Sequence, residues 1–307
     1  NQFNINNLVE QRNTKFSPET KSLEDYDVYM LLHAMIAFKK SDFDYYLRES
    51  LVETDANYAP LYSQEYAAYL ATAMAVNPDI MNAAVNNIDT PKGTYGSELI
   101  RYWNTVMVDG IGGAGKTAVI AKLIQNIVKK YYPDAEIWKV GPTKQQVDNL
   151  VNSLGSDGKA FTVEDLMSHV LGESNYAELS NDILHNNKES KQFTIEELGP
   201  ITSPGGTVME SYRAAIINED IEYNDVQTPR LVFIDEATWV NSLYMQHLSN
   251  WAHKNNVTIV PLGDLNQNGY ENPTISVYNV KSSESLMVRT PKLDISLRIT
   301  NTQQTDN

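Results

Sequence analysis

Residues Gly110-Ile111-Gly112-Gly113-Ala114-Gly115-Lys116-Thr117 decide how this chain is read. They follow the pattern G-x-x-x-x-G-K-[ST], in which glycines let the backbone fold tightly around a polyphosphate with its N–H groups aimed at the anion. The flanking residues supply the matching context. Asn104-Thr-Val-Met-Val108 reads as a short buried strand running into the loop. Ala118 to Tyr131 then carries apolar residues at helical spacing, at Val119, Leu123, Ile127 and Val128. The new helix presents the positive end of its dipole to the same point. In this arrangement Gly110, Gly112, Gly113, Ala114 and Gly115 cradle the phosphates, Lys116 reaches the β- and γ-phosphates, and Thr117 binds Mg²⁺.

Outward from the loop, strand and helix signals alternate, as they do in a parallel α/β sheet flanked by helices. Strands are predicted at 104–108, 136–140, 230–234 and 257–261, with a fifth near 285–289. Helices are predicted at 116–131, 143–154, 162–171 and 242–254. The stretch from Glu173 to Pro229 interrupts the alternation; it is polar and acidic, and it reads as an insertion because sheet elements lie on both sides. Before the loop the pattern differs. Residues 1–20 are polar and Asn-rich and suggest an extended arm, and helices near 24–38, 41–52, 61–76 and 78–87 suggest a small bundle. The stripe Tyr62, Tyr66, Tyr69, Leu70 and Ala73 is read as core. Thr90 to Gly96 is rich in breakers and reads as a linker. The expected organisation is a helical region at 1–95, an α/β domain at 96–300 with the insertion at 173–229, and a start of further chain at 301–307.

Three further strand ends carry chemistry. Leu231-Val-Phe-Ile-Asp235-Glu236-Ala237 is an apolar strand ending in two carboxylates. In an open parallel sheet, the carboxyl ends of the strands face the ligand crevice. Asp235 should therefore emerge beside the loop to hold Mg²⁺ through water, and Glu236 is the natural base to orient the water that attacks a γ-phosphate. Val257 to Gln267 repeats the arrangement with Gly263-Asp264 and a carboxamide three residues on, placed to sense the γ-phosphate. At the end of 136–140, Pro142 stops the strand and Thr143 caps the next helix, with Gln146 at capping-box distance. The exposed Thr143 hydroxyl and nearby free N–H groups are also placed to hold a nucleic-acid phosphate.

Bulk properties narrow the field. The chain has 307 residues and no cysteine, which excludes disulfides and thiolate metal sites. The five histidines, His33, His169, His185, His247 and His253, show no metal-site spacing. No apolar run approaches the roughly 18 residues a membrane span requires, and the first residues do not resemble a signal peptide. A cytoplasmic location is expected, or a phage- or virus-encoded protein that is intracellular or virion-associated. The net charge of −15 argues against a surface that coats nucleic acid indiscriminately and leaves room only for a local groove.

Taken in order, these segments resemble superfamily 1 helicases. Gly110–Thr117 is similar to motif I, Gly141-Pro-Thr-Lys-Gln-Gln-Val147 to motif Ia, Asp235-Glu-Ala-Thr238 to motif II and Gly263-Asp-Leu-Asn-Gln267 to motif III. Ser168-His169-Val-Leu-Gly172 resembles a short segment found between motifs Ia and II in the RecD-like branch. Leu293-Asp-Ile-Ser-Leu-Arg298 resembles motif IV, whose Arg contacts the γ-phosphate. The resemblance covers about residues 104–300. It implies a RecA-like first motor domain that hydrolyses ATP with Mg²⁺ through Lys116, Glu236, Gln267 and Arg298. Single-stranded DNA or RNA would cross its top by way of Pro142, Thr143 and His169, and the insertion would correspond to an accessory subdomain 1B.

The resemblance has limits. No Gln motif precedes the loop at the usual distance; Tyr95 or Tyr102 is the available residue to stack on a base. The insertion has few basic residues, among them Lys188, Lys191 and Arg213, which counts against a strand-gripping role. The chain ends at Asn307, just past motif IV, so the expectation is the front part of a larger polypeptide whose second RecA-like domain lies elsewhere. The competing expectation is a STAND-like nucleotide switch or scaffold ATPase, whose loop has similar wording. Asp235-Glu236 and Gln267 favour the motor.

Overall fold

Parallel strands buried on both faces need near-continuous apolar runs, and this chain supplies them in short pieces around the loop. The computed structural model describes residues 62–76, 105–185, 187, 189–198, 201–202, 208–209, 212–218, 220–264, 288–289, 293–294 and 296. The predicted arm, the helices at 24–38, 41–52 and 78–87, and the linker lie outside these residues, as do Gln267 and Arg298.

The elements that build the sheet are β1 (Val106–Asp109), β2 (Ile137–Gly141), β3 (Ala160–Thr162), β8 (Leu231–Ile234), β9 (Thr258–Gly263) and β10 (Val288–Arg289). Between β3 and β8 lie β4 (Phe193–Leu198), β5 (Ile201–Thr202), β6 (Val208–Met209) and β7 (Tyr212–Ile217). The sheet has six parallel strands in the order β10-β1-β9-β8-β2-β3. The four predicted strands and the fifth near 285–289 are therefore all present. The short edge strand β3 is an addition, just before the helix predicted at 162–171.

The helices are α1 (Tyr62–Val76), α2 (Lys122–Tyr131), α3 (Lys144–Leu154), α4 (Val163–Leu171), α5 (Glu173–Leu184) and α6 (Ser242–Lys254). Residues Lys116–Ala121 form one π-helical turn that runs directly into α2. Helix α2 buries Leu123, Ile124, Ile127 and Val128 on one face and places Lys129 and Lys130 in its last turn, where cations suit the negative end of the dipole. Burial of such side chains is worth about 1.5–3 kcal/mol each. Helix α6 starts where Asn241 Oδ1 accepts from the N–H of Leu243 at 2.9 Å.

Alternation along each strand divides the core between the two faces. Ile137, Leu231, Phe233, Val260, Leu262, Val106 and Val108 face a cluster completed by α1, α2 and α3. Trp138, Val140, Val232, Ile234 and Ile259 face the opposite cluster, completed by α4, α5 and α6. There the rings of Trp138 and Trp251 stack at 5.7 Å, and both are fully buried.

Two features differ from the expected organisation. Helix α1 was read as part of a separate bundle, yet its Ala67, Ala68, Ala71, Ala73 and Met74 belong to the same hydrophobic cluster as the sheet and α2. Small side chains let the helix approach closely, and periodicity alone does not name the surface it covers. The 173–229 stretch is more structured than its polarity suggests. It contains α5, the antiparallel pair β4–β7 and the antiparallel pair β5–β6. It is anchored by Leu179, Phe193 and Ile217, all nearly inaccessible, and by Asp182, which accepts from Asn187 Nδ2 at 2.7 Å and Ser190 Oγ at 2.6 Å.

Candidate functional site

Parallel pairing brings the carboxyl ends of the strands to one edge. Asp109 of β1 lies opposite Gly263 of β9, and Ile234 of β8 lies between Val140 of β2 and Pro261 of β9. Because β9 separates β1 from β8, its end stands between the glycine loop and the carboxylates that follow β8. The residues that continue past these ends are Gly110, Pro142, Asp235 and Asp264, and all four lie at the same edge of the sheet.

The loop is fastened to this edge at its base. Gly110 N donates to Gly263 O at 3.0 Å, Ile111 N donates to Leu293 O at 3.0 Å, and Leu293 N donates to Asp109 O at 3.0 Å. A Cβ at Gly110 would sit 2.7 Å from Leu293 Cβ, so only glycine permits this approach. Gly113 and Gly115 have φ near +81°, the left-handed region glycine adopts at little cost. The N–H groups of Gly112, Gly113, Gly115, Lys116 and Thr117 have no acceptor among the described residues. A run of unpaired N–H donors at a helix start is the arrangement that binds phosphate.

Lys116 reaches back over the loop and donates from Nζ to Gly110 O at 2.6 Å and Ile111 O at 3.0 Å. Burial pushes its ammonium below the ordinary lysine range, and the carboxylates of Glu236, Asp264, Asp235 and Asp109 oppose that shift. Four acidic groups thus favour the charged form of one lysine. Asp109 and Asp264 were not among the predicted site residues. Their signal was available in the sequence, since each directly ends an apolar strand as Asp235 does.

Thr117 Oγ1 donates to Asp235 Oδ1 at 3.3 Å, and Asp235 Oδ1 also accepts from Glu236 N at 3.1 Å. Burial pushes the Asp235 carboxyl above the usual range, with the Glu236 N–H, the Thr117 hydroxyl and Lys116 pulling the other way. A hydroxyl and a carboxylate converging beside a phosphate cradle are hard oxygen donors that fit Mg²⁺. Glu236 follows in the left-handed conformation, with φ 48° and ψ 42°. A side chain other than Gly, Asn or Asp enters this region at a cost of about 1 kcal/mol or more. The chain then turns through Ala237–Trp239 into α6, leaving Trp239 61% exposed.

At the end of β2, Thr143 caps α3 as predicted. Its Oγ1 accepts from Gln146 N at 3.4 Å and also bonds Gln146 Oε1 at 2.5 Å. Thr143 is exposed and Pro142 half-buried. His169 lies in the last turn of α4, with its ring 5.3 Å from Phe161 and 5.8 Å from Trp138. Its Nε2 is buried with no partner among the described residues, and burial followed by Lys159 lowers its pKa. Of the predicted site residues, the structure brings together Gly110 to Thr117, Asp235 and Glu236. It sets Pro142 and Thr143 on the same edge of the sheet and places His169 within an aromatic cluster.

Comparison with known proteins accords with this geometry. A family model described as AAA domain matches residues 99–305, two-thirds of the chain. The chain belongs to that family of P-loop NTPases, and its parallel sheet flanked by helices is the RecA-like P-loop α/β fold. No curated protein matches it. No helix among the described residues is long and apolar enough to cross a membrane.

Proposed function

We propose that this AAA-domain ATPase is the first motor domain of a superfamily 1 helicase of the RecD-like branch, working on single-stranded DNA or RNA as part of a larger polypeptide or complex. The observation that carries the reading is the meeting of Thr117, Asp235 and Lys116 at the carboxyl edge of the sheet, with Glu236 next in sequence. In this reading residues 96–300 are the motor domain and the 173–229 insertion is its subdomain 1B.

The residues divide the chemistry among them. Unpaired loop N–H groups and Lys116 hold the β- and γ-phosphates, and Thr117 and Asp235 hold the metal. Bound Mg²⁺ neutralises charge that builds on the phosphate oxygens. Glu236 orients a water against the γ-phosphorus and accepts its proton as the bond to the β–γ bridging oxygen breaks, leaving ADP and phosphate. Gln267 and Arg298 are assigned to sensing and stabilising the γ-phosphate. Pro142, Thr143 and His169 are assigned to the polymer. Thr143 supports that role because it is exposed on the same strand-end edge as the ATP site.

Phosphate release by the protein, with and without single-stranded DNA or RNA, tests the motor. Stimulation by either polymer, abolished by Lys116→Ala, is the expected result. Turnover unchanged by both polymers would move the protein to the nucleotide-switch class.

A further inference from the structure

Helix α1 begins 48 residues before the loop by numbering, yet its first turn touches it. Gln64 is 1% exposed and donates from Nε2 to Ala114 O at 2.9 Å. The same Nε2 lies 2.8 Å from where a Cβ on Gly115 would stand. A buried carboxamide is costly to desolvate unless its hydrogen bonds are made. Along the rest of α1 five alanines pack into the core with Tyr69, Met74 and Val76, and the small Thr72 is buried too, so Gln64 is the carboxamide of the helix and it lies where the loop passes.

We propose that Gln64 is a positioning residue for the phosphate-binding loop, setting the orientation of the Ala114–Gly115 peptide. The reason is peptide geometry. A trans peptide is planar, so its C=O and N–H point in opposite directions. Holding the Ala114 oxygen toward α1 aims the Gly115 N–H the other way. That N–H has no acceptor among the described residues and is one of the donors the nucleotide reading assigns to phosphate. Gly115, with φ +81°, gives this peptide freedom that a bulkier residue would not. Gln64 removes that freedom.

Helix α1 can serve as the fixed side of this contact because its far end is tied down. Val76 O accepts from Tyr132 Oη at 3.0 Å and Ala75 O accepts from Arg230 Nη1 at 3.3 Å. The Arg230 guanidinium also lies over the Tyr132 ring at 3.5 Å. The helix is thus held by the residues after α2 and before β8 at one end, and it holds the loop at the other.

The inference rests on the nucleotide reading for its consequence but not for its geometry, and the test separates the two. Gln64→Met keeps the shape and removes the donor, and Gln64→Glu sets an acceptor against an acceptor. Met74→Ala, in the same helix and equally buried, controls for packing. Hydrogen exchange of the 110–119 segment is followed in the full chain without nucleotide, alongside titration with a fluorescent ATP analogue and Mg²⁺. Both Gln64 variants should exchange the hydrogen-bonded amides of Ile111, Ala114 and Val119 in this segment about tenfold faster and bind the analogue about tenfold more weakly, the scale of one lost hydrogen bond. Met74→Ala should lower Tm and leave both readouts near wild type. Loop exchange in Gln64→Met that matches wild type, or that Met74→Ala reproduces, overturns the proposal. If wild type fails to bind the analogue, the nucleotide reading falls, while exchange still decides whether Gln64 holds the loop.

Discussion

Thr117 and Asp235, 118 positions apart in the chain, meet through a hydrogen bond of 3.3 Å between hydroxyl and carboxylate. One residue belongs to the loop after β1 and the other to the turn after β8, and β9 lies between those strands. The contact is therefore a product of strand order, and it places a half-buried acid beside Lys116, whose charged form it favours.

That acid carries a cost that a mutation exposes. Burial raises the folded pKa of Asp235 above its ordinary value of 3.8. The folded chain then binds the proton more readily than the unfolded chain, so stability declines as pH rises from 3.8 through the raised value, and the full cost is present at neutral pH. Asp235→Asn should raise Tm at pH 7, with the gain shrinking as pH falls toward 4. The same substitution should cut phosphate release by about a hundredfold or more. Thermal melts across pH, paired with turnover, check both; a lower Tm at pH 7 would contradict the account.

The backbone at Glu236 stores strain where the proposed water-orienting group sits. Asn tolerates the left-handed region far better than Glu. Glu236→Asn should therefore gain about 1 kcal/mol in urea unfolding and lose turnover, while Glu236→Gln loses turnover with no gain. Equal unfolding midpoints for the two variants would show that the strain is not released.

Thr143 has two assigned roles, and aspartate separates them. Thr143→Ala removes the cap of α3 and should cost about 1 kcal/mol. Thr143→Asp keeps a cap acceptor but places a negative charge where a polymer phosphate is expected. It should retain wild-type stability and lose the polymer-dependent part of the ATPase rate. Undiminished stimulation by single-stranded DNA or RNA would remove Thr143 from the polymer path.

His247 sets a limit on acid stability. It is fully buried in α6, its Nε2 has no partner among the described residues, and burial lowers its pKa to about 3. Its Nδ1 lies 3.4 Å from Tyr223 Oη. Between the ordinary value of 6.5 and about 3, the unfolded chain binds a proton that the folded chain does not. Stability from this site is complete above 6.5 and falls by up to about 1.4 kcal/mol for each pH unit below it. His247→Leu should flatten the dependence of the urea midpoint between pH 6.5 and 5. A slope unchanged by the substitution would assign acid sensitivity to other groups.

Much of this was legible in sequence, for identifiable reasons. Leu231–Ile234 and Thr258–Gly263 are central strands, buried on both faces, so unbroken apolar runs ending in acid announced both the element and the side of the sheet where its end lies. Thr143 and Gln146 gave the start of α3 to within one residue, because a cap is a local interaction. Strand β3 escaped notice because Ala160–Thr162 is too short to show a period. Helix α5 did so because its twelve residues are mostly polar and bury chiefly Leu179 and Asp182. The left-handed turn at Glu236 has no residue signature, since glutamate is not a left-handed former. The contact of Gln64 with Ala114 spans 50 positions and depends on which surface an alanine-rich helix covers, which helical periodicity does not encode.

The central claim is that Lys116 and the loop around it bind a magnesium–triphosphate. Equilibrium titration of the wild-type chain and Lys116→Ala with a fluorescent ATP analogue, with and without Mg²⁺, tests it most directly. The account predicts saturable, magnesium-dependent binding by wild type and its loss in the variant; equal binding by the two proteins would contradict it.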